Sequence, residues 1–182
     1  MAGLRIHRYI IGNKIFSALI LNMTTIRKAT NKDITNIAKM AVELLKYHAK
    51  FDPYFAPVKN AKSLYAKHFK SCLASPTKQL LVAEYNNEIA GYGLIEIAMR
   101  PPVLKVRNMG VVNDIFVVKK FRRKSVGRQL FAGMLDWIKK EKSKYPSLNY
   151  IELAVNTKDM ISQKAWAKYG FKEYMSKQRL KV

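Results

Sequence analysis

Polar and apolar residues alternate through the β-branched run "TTIRKAT" (24–30), which predicts a strand. The period then lengthens. Ile34, Ile37, Ala38, Ala41, Leu44 and Leu45 recur at helical spacing behind a cap from Asn31 or Asp33, and Pro53 and Pro57 end that helix. A second helical stretch over 59–73 carries Ala61, Leu64, Tyr65, His68, Phe69 and Cys72 on one side. In "QLLVAEYNNEIAGYGLIEIAM" two apolar runs flank Asn86-Asn87, a hairpin signal. After the loop "RPPVLKVRN", the run "MGVVNDIFVV" reads as a strand, and Val126, Leu130, Met134, Trp137 and Ile138 form the core-facing stripe of a helix from Val126 to about residue 142. "NYIELAV" predicts a strand, "KDMISQKAWAKYG" a short helix stopped by Gly170, and "FKEYMSKQRLKV" a closing strand. The order β-α-α-β-β-β-α-β-α-β implies an α/β (α+β) fold with a mixed sheet flanked by helices.

No linker or repeat divides residues 23–182, so they are expected to form a single domain. Residues 1–22 differ. They hold basic residues and no acid, and their apolar run Ile15–Leu21 is shorter than the roughly 20 residues of a membrane span. They are expected to be an N-terminal leader or extension, with Met23 opening the domain. The chain carries 34 Lys and Arg against 12 Asp and Glu, a net charge of +22. Such a balance attracts polyanions of any kind, so nucleic acid enters as a possible partner, not a favoured one, because no nucleic-acid motif accompanies the charge. Cys72 is alone, which excludes an intramolecular disulfide and fits a reducing, cytoplasmic setting. The three histidines lack metal-ligand spacing, so no metal is expected.

The stretch "FRRKSVGRQL" (121–130) concentrates the chemistry. Arg122, Arg123 and Lys124 precede Ser125-Val126-Gly127 where a strand gives way to a helix. Backbone N–H groups at a helix start and the helix dipole favour an anion there. Arg122, Arg123, Lys124 and Arg128 would neutralise more than one phosphate, and small residues allow close approach. The turn lacks both the Gly-Lys-Ser/Thr ending of a P-loop and the three-glycine dinucleotide fingerprint.

"VNDIFVVKKFRRKSVGRQLF" resembles the pyrophosphate-binding segment of the GNAT superfamily of acetyl-CoA-dependent N-acetyltransferases, whose pattern is Arg/Gln-x-x-Gly-x-Gly/Ala after a strand. Arg122 takes the first position and Gly127 the last, while Ser125 replaces the first glycine. The resemblance runs over about residues 24–182, with "LLVAEYNNEIAGYGLI" similar to the family's central hairpin and "IELAVNTKDMISQKAWAKYGFKEY" to its closing stretch. It implies a mostly antiparallel central sheet with a V-shaped gap between "VVNDIFVV" and "NYIELAV". In that gap the backbone of Ile115, Phe116 and Val117 would bond the pantetheine arm of acetyl-CoA. Residues Arg123, Lys124, Ser125, Val126, Gly127 and Arg128 would hold the pyrophosphate, and N–H groups at a strand bulge near Phe116 would polarise the thioester.

The resemblance further implies transfer of an acetyl group to a primary amine of a small molecule or protein. Asp114 matches a position where relatives often carry an acid and is the candidate catalytic residue, with Glu96 and Glu152 as alternatives. Trp166 stands where many relatives place a proton-donating tyrosine, so an acid at that position is missing. Tyr169 reads as a packed tyrosine. Asn156 and Asp159 are candidate cofactor contacts. The acceptor region would draw on "KYHAKFDPYFAP" and a basic lip from "RPPVLKVRN". Two alternatives stay open: a GNAT fold that binds acyl-CoA without turnover, and a basic nucleic-acid-binding module. A homodimer is compatible with the sequence.

Overall fold

A computed structural model describes residues 5–11, 14–20 and 24–180. Strands β1 (Arg5–Ile11) and β2 (Lys14–Ile20) form a two-stranded antiparallel hairpin of their own. The leader or extension expected over residues 1–22 is therefore strand-forming where it is described.

The main sheet has five strands in the order β3-β4-β5-β6-β7, built from β3 (Thr24–Lys28), β4 (Lys78–Tyr85), β5 (Glu88–Met99), β6 (Asn108–Val117) and β7 (Ile151–Leu153). All neighbouring pairs are antiparallel except β6–β7, which is parallel. Helices α1 (Ile34–Ala49) and α2 (Ala61–Ala74) cover one face, α3 (Val126–Glu141) covers the other, and α4 (Met160–Lys168) follows β7. The expected mixed, mostly antiparallel sheet flanked by helices is the observed architecture.

Residue alternation along the strands explains the two cores. Leu81, Ile95, Ile97 and Val112 pack with Val126, Leu130, Phe131, Met134 and Ile138 of α3. The intervening residues Leu80, Val82, Tyr92, Leu94 and Phe116 pack with Ile34, Ile37, Met40, Phe69 and Cys72 of α1 and α2. Because both faces are covered, β4 reads as a nearly continuous apolar run. The Asn86-Asn87 turn has positive φ at both residues (51° and 64°), the two-residue geometry that matches strand twist.

One expected element is missing. Residues 171–180 form no strand, and nearly all of their side chains are exposed. The available edge, β7, is only three residues long, so it offers few ladder bonds, and Lys172, Glu173, Lys177 and Arg179 have no apolar face to bury. The segment is instead tied at Arg179, whose guanidinium bonds Asp52 at 2.9 Å and lies over the Tyr54 ring.

Candidate active site

The parallel pairing of β6 and β7 lasts only from Gly110–Ile151 to Val112–Leu153, after which the strands part. The cause lies on the other edge of β6. Leu94 pairs with Asp114 and Ile95 with Val112, so Asn113 is an extra residue without a partner. Such a bulge bends and twists its strand. Two consecutive polar residues, Asn113 and Asp114, interrupt the alternation there, which is the signal that could have located it. The bulge expected near Phe116 is thus at Asn113; Phe116 itself is in regular register with Tyr92, its ring buried against the α1–α2 core.

The parting strands frame a small cavity of ≈ 80 Å³. Asn113, Asp114 and Ile115 form one wall and Leu153, Ala154 and Val155 the other. Tyr47 and His48 close it from α1, Asp159 and Ser162 from the start of α4, and Trp166 from nearer its end. Beyond Val112 the β7-facing edge of β6 is open, and Ile115, Phe116 and Val117 lie along it with β5 on their other side. Arg122 already occupies one group of this edge, donating from Nε to the Val117 carbonyl at 2.9 Å.

At the end of β6 the chain turns into α3 through the expected cationic segment. Buried Phe121, its ring 5.5 Å from that of Tyr85, pins the turn to the core. Arg123 and Ser125 both have φ of 62°, with Lys124 between them on the negative side. Alternating handedness curls successive N–H groups toward one point, the geometry of an anion nest. Among the described residues, no backbone N–H from Arg123 to Arg128 finds an acceptor; the first bond of α3 is Gln129 N–H to Ser125 O. Buried Val126 anchors the helix start. A β-carbon on Gly127 would meet only a Val117 methyl, at an ordinary 3.6 Å, so packing alone does not demand glycine there. Beside the turn, Arg128, Lys164, Lys168 and Tyr169 line an open groove of ≈ 690 Å³ between α3 and α4. The sequence reading had not singled out the two lysines.

Asp114 faces the α1–α2 side. Tyr92 donates its hydroxyl to Asp114 Oδ2 at 3.2 Å. Burial pushes the carboxyl's pKa up, with the Tyr92 hydrogen bond and the nearby His68 and His48 opposing that rise. Glu96 lies on the same strand face but is paired with Lys78 at 2.9 Å. Burial alone would raise its pKa; the hydrogen bonds from Lys78 and Asn113 outweigh this and leave it below the usual carboxylate range. Glu152 lies on β7 near Tyr174.

Asp159, 1% exposed, caps α4. Its Oδ1 accepts from Ser162 N–H and from the Tyr47 hydroxyl, both at 3.1 Å, and its Oδ2 from the Ser162 hydroxyl at 2.7 Å. These bonds outweigh the burial that would raise its pKa, leaving it lowered. Asn156 accepts from Lys158 N–H at 2.9 Å within the preceding turn and is not part of the cavity wall. Trp166 packs edge-on against Phe131 and Phe171 and reaches the cavity. Tyr169 packs on Phe131 and faces the α3–α4 groove. Of the aromatic run before α2, Tyr47 and His48 reach the cavity; Phe51 buttresses Tyr47, and Tyr54 stands in solvent under Arg179. Tyr92 and Ser162 went unnoticed in the sequence because only the fold brings them to Asp114 and Asp159. Among the described residues no group of His, Cys, Asp and Glu converges as a metal site.

A family model described as "Acetyltransferase (GNAT) family" matches residues 43–171. A search of curated proteins finds no match. Among solved structures, a mutant of the BH1408 protein from Bacillus halodurans superposes with a TM-score of 0.76 at 19% identity, covering 87% of this chain and 99% of that one. The aminoglycoside N-acetyltransferase AAC(6')-Iy in complex with CoA gives 0.68 at 15% identity, over 88% and 95% of the two chains. A predicted acetyltransferase with acetyl-CoA from Clostridium acetobutylicum gives 0.62 at 22% identity, over 87% and 96%. At these identities the likeness speaks for the fold.

Proposed function

The chain belongs to the GNAT acetyltransferase family, and on that premise we propose that it transfers the acetyl group of acetyl-CoA to a primary amine by direct attack. One observation carries the reading: β6 and β7 part directly after Val112 and Leu153, and β6 runs on to a turn whose six successive N–H groups have no acceptor among the described residues. An extended arm ending in a pyrophosphate matches that pair of features. The N–H groups of residues 123–128 hold the pyrophosphate, and the Arg123, Lys124 and Arg128 side chains neutralise it. Arg122 has a double part, since its bond to Val117 O also fixes the turn against β6. The open edge at Ile115 and the Val117 N–H receives the arm as an added strand would be received, while the Phe116 backbone groups are turned to Tyr92 on β5. Gly127 leaves room for a phosphate to approach the helix start.

Acetyl-CoA supplies an acyl carbon activated by its thioester. The amine must be neutral to attack it. Asp114 takes the amine's proton, directly or through water, and its burial makes it a stronger base than an exposed carboxylate. Tyr92 orients that carboxylate through its hydroxyl. Backbone N–H groups freed by the bulge at Asn113 lie in the cavity wall, where developing negative charge on the acyl oxygen is stabilised. Trp166 shields the cavity from water. Its indole N–H is a hydrogen-bond donor by type but no usable acid, and a thiolate with a parent pKa of about 8.5 departs without one. Asp159, held by Tyr47 and Ser162, keeps α1 and the start of α4 at a fixed distance across the cavity.

Calorimetry with acetyl-CoA, followed by a thiol-release assay over a panel of primary amines, tests the reading. Saturable binding and amine-dependent thiol release are expected. Binding with no release for any amine would leave only a CoA-binding protein, and no binding would remove the proposal.

A further inference from the structure

The loop between β5 and β6, "RPPVLKVR", has a surface that the acetyl-transfer reading does not use. Val103 is 89% exposed and Met99, at the end of β5, 74%; Leu104 beside them is exposed as well. Tyr150, 62% exposed, flanks the base of the loop, its carbonyl accepting from Gly110 N–H. These side chains stand on a stiff frame. Arg100 N–H bonds Arg107 O at 2.9 Å and Leu104 N–H bonds Pro101 O at 3.0 Å. Ser147 Oγ accepts from Arg107 and Asn108 N–H at 3.1 and 2.9 Å and donates to Asn108 Oδ1, which ties the loop to the segment after α3. Around the apolar tip stand Arg100, Lys105 and Arg107, and Lys139, Lys140 and Lys142 lie on the α3 end that leads to Ser147. Among the described residues none of these six cations has a carboxylate at ion-pair distance.

Single exposed aliphatics are ordinary on protein surfaces, but several on one rigid tip ringed by free cations mark an interaction surface. Three occupants can be weighed by chemistry. A second copy of this chain would press the same cations against each other on a molecule of net charge +22. Nucleic acid would satisfy the cations and could stack on Tyr150 or a guanidinium plane, but it would leave the Val103, Leu104 and Met99 side chains without an apolar partner. An anionic bilayer satisfies both parts, since aliphatic groups enter the acyl boundary while cations stay among the headgroups. We propose that the β5–β6 loop is a docking tip for anionic lipid membranes, seating Val103 and Leu104 below the headgroups with Arg100, Lys105 and Arg107 among them.

Co-sedimentation of the full chain with vesicles tests this independently of any acetyl transfer. Vesicles of phosphatidylcholine alone are compared with an equal mixture of phosphatidylcholine and phosphatidylglycerol. Binding to the mixed vesicles only is expected, weakened by added salt. The exposed pair Val103→Ser/Leu104→Ser should lower the partition coefficient roughly tenfold, as expected for partial burial of two aliphatic side chains. Arg100→Gln/Lys105→Gln/Arg107→Gln should lower it by about fivefold per cation. The same charge removed on another face, by Lys62→Gln/Lys67→Gln/Lys70→Gln on α2, should leave most of the binding. Absence of binding to the mixed vesicles overturns the proposal. So does an equal loss in the α2 variant, which would reduce the effect to net charge, or tighter loop-dependent binding to a single-stranded RNA oligonucleotide than to vesicles.

Discussion

At the start of α3, six consecutive N–H groups and the Arg123 and Arg128 side chains have no protein partner among the described residues. Across β6, on the α1–α2 side, the polar groups are paired: Asp114 by Tyr92, Glu96 by Lys78, Asp159 by Tyr47 and Ser162. Among the described residues no buried side-chain nitrogen or oxygen lacks a partner. The turn can stay unsatisfied because it is exposed, where water solvates its N–H groups. Asp159 is withdrawn from water and Asp114 and Glu96 are partly so, and leaving any of them unpaired would carry a desolvation cost. On the proposed reading, one side receives the charge of the cosubstrate and the other sets the protonation and shape of the place where bonds change.

The largest effect is expected on the paired side. Asp114→Asn should lower kcat by about 10²–10⁴-fold if the carboxylate is the base. The same variant should raise the melting temperature at neutral pH. The sign follows from linkage: burial raises the folded-state pKa of Asp114, so its charged form costs stability above that pKa, and the cost vanishes below the ordinary carboxylate range, where both states are protonated. Melting curves against pH should therefore converge for the two proteins in acid. Loss of activity without the stability gain would mean that folding does not raise the pKa of Asp114. Tyr92→Phe sharpens the same point. It removes a bond that favours the ionised carboxylate, so the acidic limb of the kcat/KM profile should move to higher pH.

On the unsatisfied side, Arg123→Ala and Arg128→Ala should each weaken acetyl-CoA binding by about 1.5–3 kcal/mol, the range of a charge-assisted hydrogen bond. Calorimetry reads this directly, and unchanged affinity in the double variant would move the phosphate site elsewhere. Trp166 joins the two sides and should behave as a packing residue. Trp166→Phe should keep most activity and the same alkaline limb. Trp166→Ala should cost less than the roughly 3–5 kcal/mol of a fully buried tryptophan, since its ring is only half-buried. A collapse of turnover in Trp166→Phe with binding intact would give the indole N–H a chemical role.

The smallest effect belongs to Ser125. A non-glycine residue in the left-handed region costs roughly 1–2 kcal/mol, part of which glycine returns through the greater freedom of its unfolded chain. Ser125→Gly should thus stabilise the protein slightly in thermal melts and leave acetyl-CoA binding unchanged. Ser125→Glu should instead repel the anion, and equal binding by all three forms would show that the N–H cradle is not the phosphate site.

Local signals in the chain determined the helices, the hairpin at Asn86-Asn87, the cationic turn and the family resemblance, because alternation, capping and turn chemistry act over a few neighbouring residues. The family resemblance implied a cofactor-binding role for the strand that carries Asp114, and it set Trp166 where relatives often have a tyrosine. Long-range packing decided the rest. The bulge at Asn113 depends on how β5 registers against β6, and the partner of Asp114 is a tyrosine 22 residues away on the neighbouring strand. The bond from Tyr47 to Asp159 spans 112 residues, so no window of sequence contains it. The closing strand failed for the same reason: a strand needs an edge to pair with, and the length of β7 was set by where β6 bends away, not by the residues of 171–180.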